Sequence, residues 1–342
     1  MLRHRWSLRA PGVAPLIARL VAGSVAPLGA CHDDDAPADR APGAVGPFFE
    51  QPMFFNREIA GAPEAADGPA MIAALREAGG WGRGNRMQID FSLTVLEADA
   101  STPRRAFEPI EGQFWTPDCD HAEVPIPAAG NVEGEEGYEC KGNGDCHLLV
   151  FERDEGMLYE MYAAHVEPEF RGGCLALWDT RAAYDETLRG DQCTSADAAG
   201  LPIAPLLFTA DEVAAGEIPH AIRFVLPNDR VRRGFVRPAT HGTDTSGPPG
   251  APPYGVHLRL RAEYPIDTLP SEGARVVARA MQTYGMIHSD GGEVALTALS
   301  DRYTTAKWSG LLGVQDLEGL RVEDFEVVDH GEPISYPYRC ER

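Results

Sequence analysis

The chain has 342 residues, 44% of them hydrophobic, and sets 52 acidic side chains against 30 basic ones for a net charge of −22. That is enough apolar material for one large domain or two small ones. The charge balance argues against a nucleic-acid partner, because phosphate binding needs a basic footprint. Lysine is confined to Lys141 and Lys307, so any grip on anionic groups falls mostly to arginine.

Residues 1–30 carry Arg3, Arg5 and Arg9 ahead of a small, apolar stretch, and no acid precedes Asp33. This is the pattern of an export signal. The sequence Leu28-Gly29-Ala30-Cys31 that closes it resembles the lipid-attachment signal of bacterial lipoproteins, which implies cleavage before Cys31, acylation of Cys31 and anchoring of the chain to a membrane. An ordinary secretory signal is the alternative. A membrane span is disfavoured, since Arg19, Pro11, Pro15 and Pro27 interrupt a stretch that would need about 20 apolar residues. Removal of residues 1–30 takes four arginines and no acid, leaving 26 basic against 52 acidic side chains, a balance of −26.

Residues 31–47 are acidic and rich in Ala, Pro and Gly, and are expected to form a flexible tether. Residues 48–342 are expected to form one β-rich folded domain, with a subdivision near residue 140 left open. A helix is expected over 69–77 with Asp67 as its cap. Alternation of Met87, Ile89, Phe91, Leu93 and Val95 with polar residues predicts a strand. Between residues 146 and 164, two apolar runs flank Asp154-Glu155-Gly156, a signature of a hairpin with a three-residue loop. That register pairs Arg153 with Met157. It puts His147, Leu149, Phe151, Tyr159 and Met161 on one face and Glu152, Glu160 and Tyr162 on the other.

Further strands are expected at 174–178, 221–226, 233–237, 256–262, 286–289, 293–298 and 325–328, with a turn at Asp290-Gly291-Gly292. A second helix is expected over 272–284, where an apolar stripe ends at Gly285. Many short strands with two or three helices indicate an all-β or β-rich α+β fold, most simply two packed antiparallel sheets.

Apart from Cys31, six cysteines remain, at 119, 140, 146, 174, 193 and 340. An even number in an exported chain reads as three disulfides whose pairing the sequence leaves open; Cys140 to Cys146 and Cys174 to Cys193 are the short closures. Cys119-Asp120-His121 and Cys146-His147 place thiols beside imidazoles, yet their spacing matches no zinc module, so no metal is assigned. No motif requires a cofactor. The serine elbow, the paired-histidine zinc motif, the phosphate loop and the EF-hand loop are all missing, and Gly80-Trp81-Gly82-Arg83-Gly84 opens no helix.

What remains are polar residues at suggestive places. His147, His220, His241 and Asp290 are the candidate acid/base groups. His257, Arg259, Arg261 and Tyr254 are candidates for holding an acidic ligand, with Arg259 also a charge stabiliser. The loop 239–255 contributes His241, Asp244 and Tyr254 and is longer than compact domains usually carry without function.

The blocks Thr194-Ser195-Ala196-Asp197-Ala198-Ala199-Gly200-Leu201-Pro202-Ile203, residues 211–224, Arg237-Pro238-Ala239-Thr240-His241 and Tyr284-Gly285-Met286-Ile287-His288-Ser289-Asp290-Gly291-Gly292 carry a resemblance. With the hairpin before them, they resemble a group of exported bacterial proteins over about residues 145–330. The resemblance implies export and a shared domain, and no catalytic residue. Two classes of function follow. One is a cell-envelope protein that binds or processes an extracellular glycan; the other is a non-catalytic structural or interaction lipoprotein presenting Trp115, Trp178, Tyr254 or Trp308 to a partner. Histidines gathered around one cleft favour an enzyme, and histidines scattered through separate cores argue against one.

Overall fold

The computed structural model describes residues 43–142 and 144–342; the signal, Cys31 and most of the expected tether lie outside them. In chain order the strands are β1 (Ile89–Leu93), β2 (Val95–Ala98), β3 (Arg104–Arg105), β4 (Glu108–Pro109), β5 (Val124–Pro125), β6 (Leu148–Glu152) and β7 (Met157–Met161). They continue as β8 (Arg171–Gly172), β9 (Leu175–Asp179), β10 (Ile222–Leu226), β11 (His257–Leu260), β12 (Met286–Gly291), β13 (Leu296–Leu299) and β14 (Phe325–Val327). The α-helices are α1 (Gly68–Glu77), α2 (Ala210–Ala215) and α3 (Glu272–Thr283).

The fold is β-rich α+β, built on two open sheets: a six-stranded one in the order β1-β13-β10-β12-β11-β14 and a four-stranded one in the order β2-β6-β7-β9. Two small two-stranded sheets, β3-β5 and β4-β8, sit beside them. The sheets are mixed rather than purely antiparallel, because β1/β13, β10/β12 and β2/β6 run parallel. Parallel pairing needs a long crossover, and residues 227–285, which include α3, supply it between β10 and β12.

The single strand expected around residues 87–95 is two. At Thr94, whose buried hydroxyl accepts from Asn131 Nδ2 at 2.9 Å, the chain leaves the six-stranded sheet and enters the four-stranded one. β2 then pairs with β6, so chain on both sides of residue 140 shares one sheet. The turn after Asp290 does connect β12 to β13, but β10 lies between them and the two do not pair. Residues 233–237 make only isolated bridges, from Phe235 to Tyr254 and Ile334.

The hairpin β6/β7 forms with a register one residue from the expected one: Glu152 pairs with Met157 and Leu149 with Glu160. The loop therefore holds four residues, with Gly156 at φ +66° as its left-handed closure. A slip of one residue exchanges faces. Leu149, Phe151, Leu158 and Trp178 pack into a core shared with Leu93 and Leu299 of the six-stranded sheet. Leu148, Val150, Tyr159 and Met161 pack instead against Val124, Ile126 and Tyr138 of the acidic segment.

α3 forms as expected. Ser271 Oγ accepts from Ala274 N at 3.1 Å, and Val276, Val277, Ala280 and Met281 are buried on the side that packs on β11. Gly285 follows at φ +73°, where an added Cβ would meet Leu258 O at 2.7 Å. Asp67 stands before α1, but its side chain makes no capping hydrogen bond. α2 was not expected, although Thr209 and Glu212 form a reciprocal capping box at 3.1 and 2.8 Å. Packing begins ahead of residue 48, since Ala44 is buried and its N–H donates to Val95 O at 2.8 Å.

Three disulfides brace the fold: Cys119–Cys174, Cys140–Cys146 and Cys193–Cys340. The Cys140–Cys146 closure is as expected. Cys174 and Cys193 take other partners, because Cys193 meets the C-terminal segment, where Asp191 and Glu341 exchange two backbone hydrogen bonds of 2.9 Å. Disulfides are consistent with an oxidising, extracellular compartment. Among the described residues, no helix is long and apolar enough to cross a membrane.

Candidate functional site

Four pieces of chain enclose a cleft of about 660 Å³: the stretch around Trp115 and Asp118, residues 192–198, the loop bearing His241 to Asp244 and Tyr254, and the C-terminal segment from Tyr336 to Cys340. The end of β12, with Asp290 and Gly291, forms part of its lining. The long loop singled out in the sequence therefore borders a real cavity. The Cys193–Cys340 bond fastens one wall to the other.

The way Asp290 reaches the cleft starts with a bulge. β10 and β12 run in register up to Phe224 and His288, and then Val225 pairs with Asp290, leaving Ser289 as the extra residue. Such an insertion re-aims the side chains beyond it. His288, before the bulge, is fully buried and stacked on Tyr254 with ring centroids 4.6 Å apart, while its nitrogens meet Pro253 O and Asp290 O at 3.1 Å. Burial pulls it down to about 4, against the opposing pull of the two carbonyls. Tyr254 is itself packed away, its hydroxyl 3.0 Å from Thr243 Oγ1.

Behind Asp290 lies a buried charge network. Arg223, on the otherwise apolar β10, reaches Asp197 through Nη2 and Nε at 3.0 and 3.3 Å and Asp290 through Nη2 at 2.9 Å. One guanidinium thus serves two carboxylates. Burial pushes the Asp197 carboxyl up against the pull of Arg223, and Asp290 adds to the rise. Beside this network, His147 Nδ1 lies 2.7 Å from Glu133 and Nε2 lies 3.2 Å from Ala196 O. Burial disfavours charge on the ring, but Glu133 outweighs it and His147 is held up at about 9. Asp145, hydrogen-bonded to Tyr162, is raised, first by burial and then by Asp290 and Glu133 despite the pull of His147.

The expected site residues divide. His241, Tyr254 and Asp290 line the cleft; His147 lines an adjoining hollow that shares Asp145, Asp290 and Gly291 with it. His241 Nδ1 lies 3.0 Å from Ala198 O, and burial lowers its affinity for a proton. His147 spends both nitrogens on protein partners and is a brace rather than a free acid or base. His220 lies outside the cleft lining, with Nε2 3.3 Å from Glu212 and Nδ1 2.8 Å from Ala221 O, and ties α2 to β10.

The β11 arginines expected to hold an acidic ligand are already occupied by protein, while His257 borders a separate cavity of about 760 Å³. Arg259 Nε donates to Glu326 at 2.7 Å and its Nη1 to Ile59, Ala60 and Ala62 carbonyls. Arg261 also turns to Glu326, at 3.4 Å, and His257 Nε2 is 2.6 Å from Tyr284 O. Burial pulls His257 down to about 4. Trp178 and Trp308 are core residues, bonded through Nε1 to Glu160 and Leu299 O. Trp115 alone of the four named aromatics is exposed.

No family model, no curated protein and no solved structure matches the chain. The chemistry of the cleft is therefore the ground on which function has to be read.

That chemistry includes residues the sequence did not single out: Asp118, whose Oδ2 accepts from Thr194 N at 2.9 Å, together with Asp145, Tyr162, Tyr336 and Tyr338. Among 52 acidic side chains, none of these aspartates carries a local mark. Arg223 did carry one, as a lone cation between Ile222 and Phe224, where a buried partner is obligatory. As for metals, Asp118, Cys193 and Cys340 lie together, but both sulfurs are in a disulfide and neither is available as a thiolate ligand. Cys119 and Cys146, the thiols beside imidazoles in the sequence, are committed in the same way.

Proposed function

We propose that this is an exported, lipid-anchored cell-envelope protein whose cleft binds an extracellular glycan. One observation carries the reading. Of the three large hydrophobic side chains that stand exposed among the described residues, Trp115, Val314 and Tyr336, two border this cleft. Exposed aromatics beside a polar cavity mark a ligand surface rather than unfinished packing. A ring offers its face to the C–H side of a sugar, and the aspartates, Gln192 and Thr243 around it offer hydrogen bonds to hydroxyls.

Export is supported by the three disulfides and by the export-type pattern of residues 1–30, and the anchor rests on Cys31. Mass spectrometry of the membrane fraction is expected to find acylated Cys31 and no free thiol; a soluble product starting elsewhere would remove the anchor. For the cleft, the mature protein is screened on a glycan array beside Trp115→Ala and Tyr336→Ala. The bound glycan is expected to lose about tenfold in affinity with each, equivalent to about 1.4 kcal/mol. Retention of full affinity by both variants would remove the cleft from the reading.

Hydrolysis in the same cleft is a second reading, favoured by one contrast. Asp290 is ion-paired to Arg223, whereas burial raises Asp145, and two carboxyl groups in different settings beside one cleft are what glycoside hydrolysis uses. Asp145→Asn and Asp290→Asn are each expected to abolish release of reducing ends from the bound glycan. Unchanged release from either variant would exclude that carboxyl.

A further inference from the structure

We propose that the C-terminal segment from Ile334 to Arg342 is a strap that completes the cleft, and that the Cys193–Cys340 bond is a latch which a dithiol reductant opens. The proposal does not depend on what the cleft binds. The strap is clamped at two places. At the near end, Phe235 and Ile334 exchange backbone hydrogen bonds of 3.0 and 2.8 Å beside Gly234, where an added Cβ would meet Ile334 O at 2.8 Å. At the far end, Asp191 and Glu341 exchange two more, Arg342 Nη2 pairs with Asp120 at 2.9 Å, and Cys340 is joined to Cys193. Gly190 admits this end closely, since a Cβ there would meet Cys193 Sγ at 2.6 Å and Glu341 O at 2.8 Å. Among the described residues, the backbone between the clamps makes one hydrogen bond, from Arg339 N–H to Gln192 Oε1 at 3.1 Å.

Tyr336, Tyr338 and Cys340 all line the cleft, so the position of the strap sets the shape of the cavity. Of residues 335–339, Tyr338 alone is half-buried, its ring centroid 5.3 Å from that of Phe235 and 4.8 Å from that of His241; the rest are exposed. Two backbone hydrogen bonds at a chain end and an ion pair in reach of water hold weakly, so the covalent bond decides whether the far end stays. Once it is broken, the eight residues beyond Ile334 can extend about 26–29 Å and leave the cleft. The two sulfurs are unequal. Cys193 is buried, whereas Cys340 is partly exposed and faces the cleft; neither of the other two disulfides contributes to the lining. A thiolate of the reductant attacks Cys340 Sγ, the S–S bond breaks, and Cys193 Sγ leaves as a thiolate and takes up a proton. The second thiol then attacks the mixed disulfide, closing the reductant's own disulfide and returning Cys340 as a thiol. Two electrons and two protons pass from the dithiol to the protein.

The test is hydrogen–deuterium exchange of the mature protein, oxidised and after treatment with dithiothreitol, beside a Cys193→Ala/Cys340→Ala variant kept free of reductant. Exchange in residues 335–342 is expected to rise about tenfold in the reduced protein and in the variant, while β10 and β12 keep the protection they have in the oxidised protein. Alkylation of the reduced sample is expected to mark Cys193 and Cys340 ahead of Cys119 and Cys174, and Tyr338 is expected to become quicker to nitrate with tetranitromethane. Unchanged exchange in residues 335–342 overturns the latch. A rise in β10 and β12 as large as that in the strap makes the bond a staple of the whole fold and overturns the latch as well. Faster exchange confined to residues 340–342, with Tyr338 as slow to nitrate as before, reduces the motion to a frayed terminus and overturns the strap. Marking of Cys119 and Cys174 first overturns Cys340 as the point of attack.

Discussion

Two buried arginines of the six-stranded sheet, one on its central strand β10 and one near its β14 edge, differ in what surrounds them. On the β11/β14 edge, Arg259 sits opposite Glu326 across the strands, and Nε–H, Nη1 and Nη2 all find protein acceptors. Arg261 shares the same carboxylate, and Arg259 lines no cavity described above. Near the bulge in β12, Arg223 is shared between two carboxyl groups, and one of them opens onto a 660 Å³ cleft. Both arginines are buried. A buried ion pair closed off inside the protein is a piece of architecture, whereas one whose carboxylate opens onto a cavity can also meet a ligand.

The largest expected effect that would break this contrast is on stability. Arg223→Met strands Asp197, which is fully buried, and removes the ion-pair partner of Asp290. Leaving a buried charge unpaired costs about 3–5 kcal/mol, to be read from urea denaturation, and binding in the cleft is expected to fall with it. Arg259→Met is milder, at about 1–3 kcal/mol for the acceptors it leaves, because Arg261 still reaches Glu326. Cleft binding is expected to be unaffected by that change. If Arg259→Met weakened glycan binding as much as Arg223→Met, the division into an architectural and a ligand-facing cluster would be wrong.

The same contrast explains which features were legible beforehand. α3 has a cap, a stripe and a stopping glycine within 15 residues, all local signals, and it forms where they say. The β6/β7 hairpin has local signals for its existence but not for its register: both of its faces are buried, so apolar residues occupy either parity and alternation loses its meaning. The central position of β10 depends on strands some 60 or more residues further along the chain. Nothing near Ile222 announces that. The cleft is the extreme case, since Asp118, Asp145, Asp197 and Asp290 come from four separated segments and acquire their meaning only from the shared cavity and from Arg223. The histidines misled for a related reason. His147 and His220 stand out in the sequence as polar residues among apolar ones, and burial beside Glu133 and Glu212 is what that pattern reports.

A smaller effect, a slope rather than a collapse, separates the two regions by pH. His147 is raised from its ordinary 6.5 to about 9 by Glu133, so the stability it contributes is complete below about pH 6.5 and is lost as pH rises through 9. His257 is lowered from 6.5 to about 4 by burial, with Nε2–H donated to Tyr284 O. Its unfolded form takes a proton first, so stability falls as pH drops from about 6.5 toward 4 and is unaffected above that window. Thermal unfolding followed from pH 4 to 9.5 should then decline on both limbs, by on the order of 2–4 °C per kcal/mol lost. His147→Gln is expected to flatten the alkaline limb alone. His257→Gln, whose amide can still donate to Tyr284 O, is expected to make the acid limb shallower, with His288 still contributing to it, and to leave the alkaline limb unchanged. If His147→Gln changed the acid limb instead, the imidazole beside Glu133 would be neutral in the folded protein, and its role as a charged brace behind the cleft would have to be abandoned.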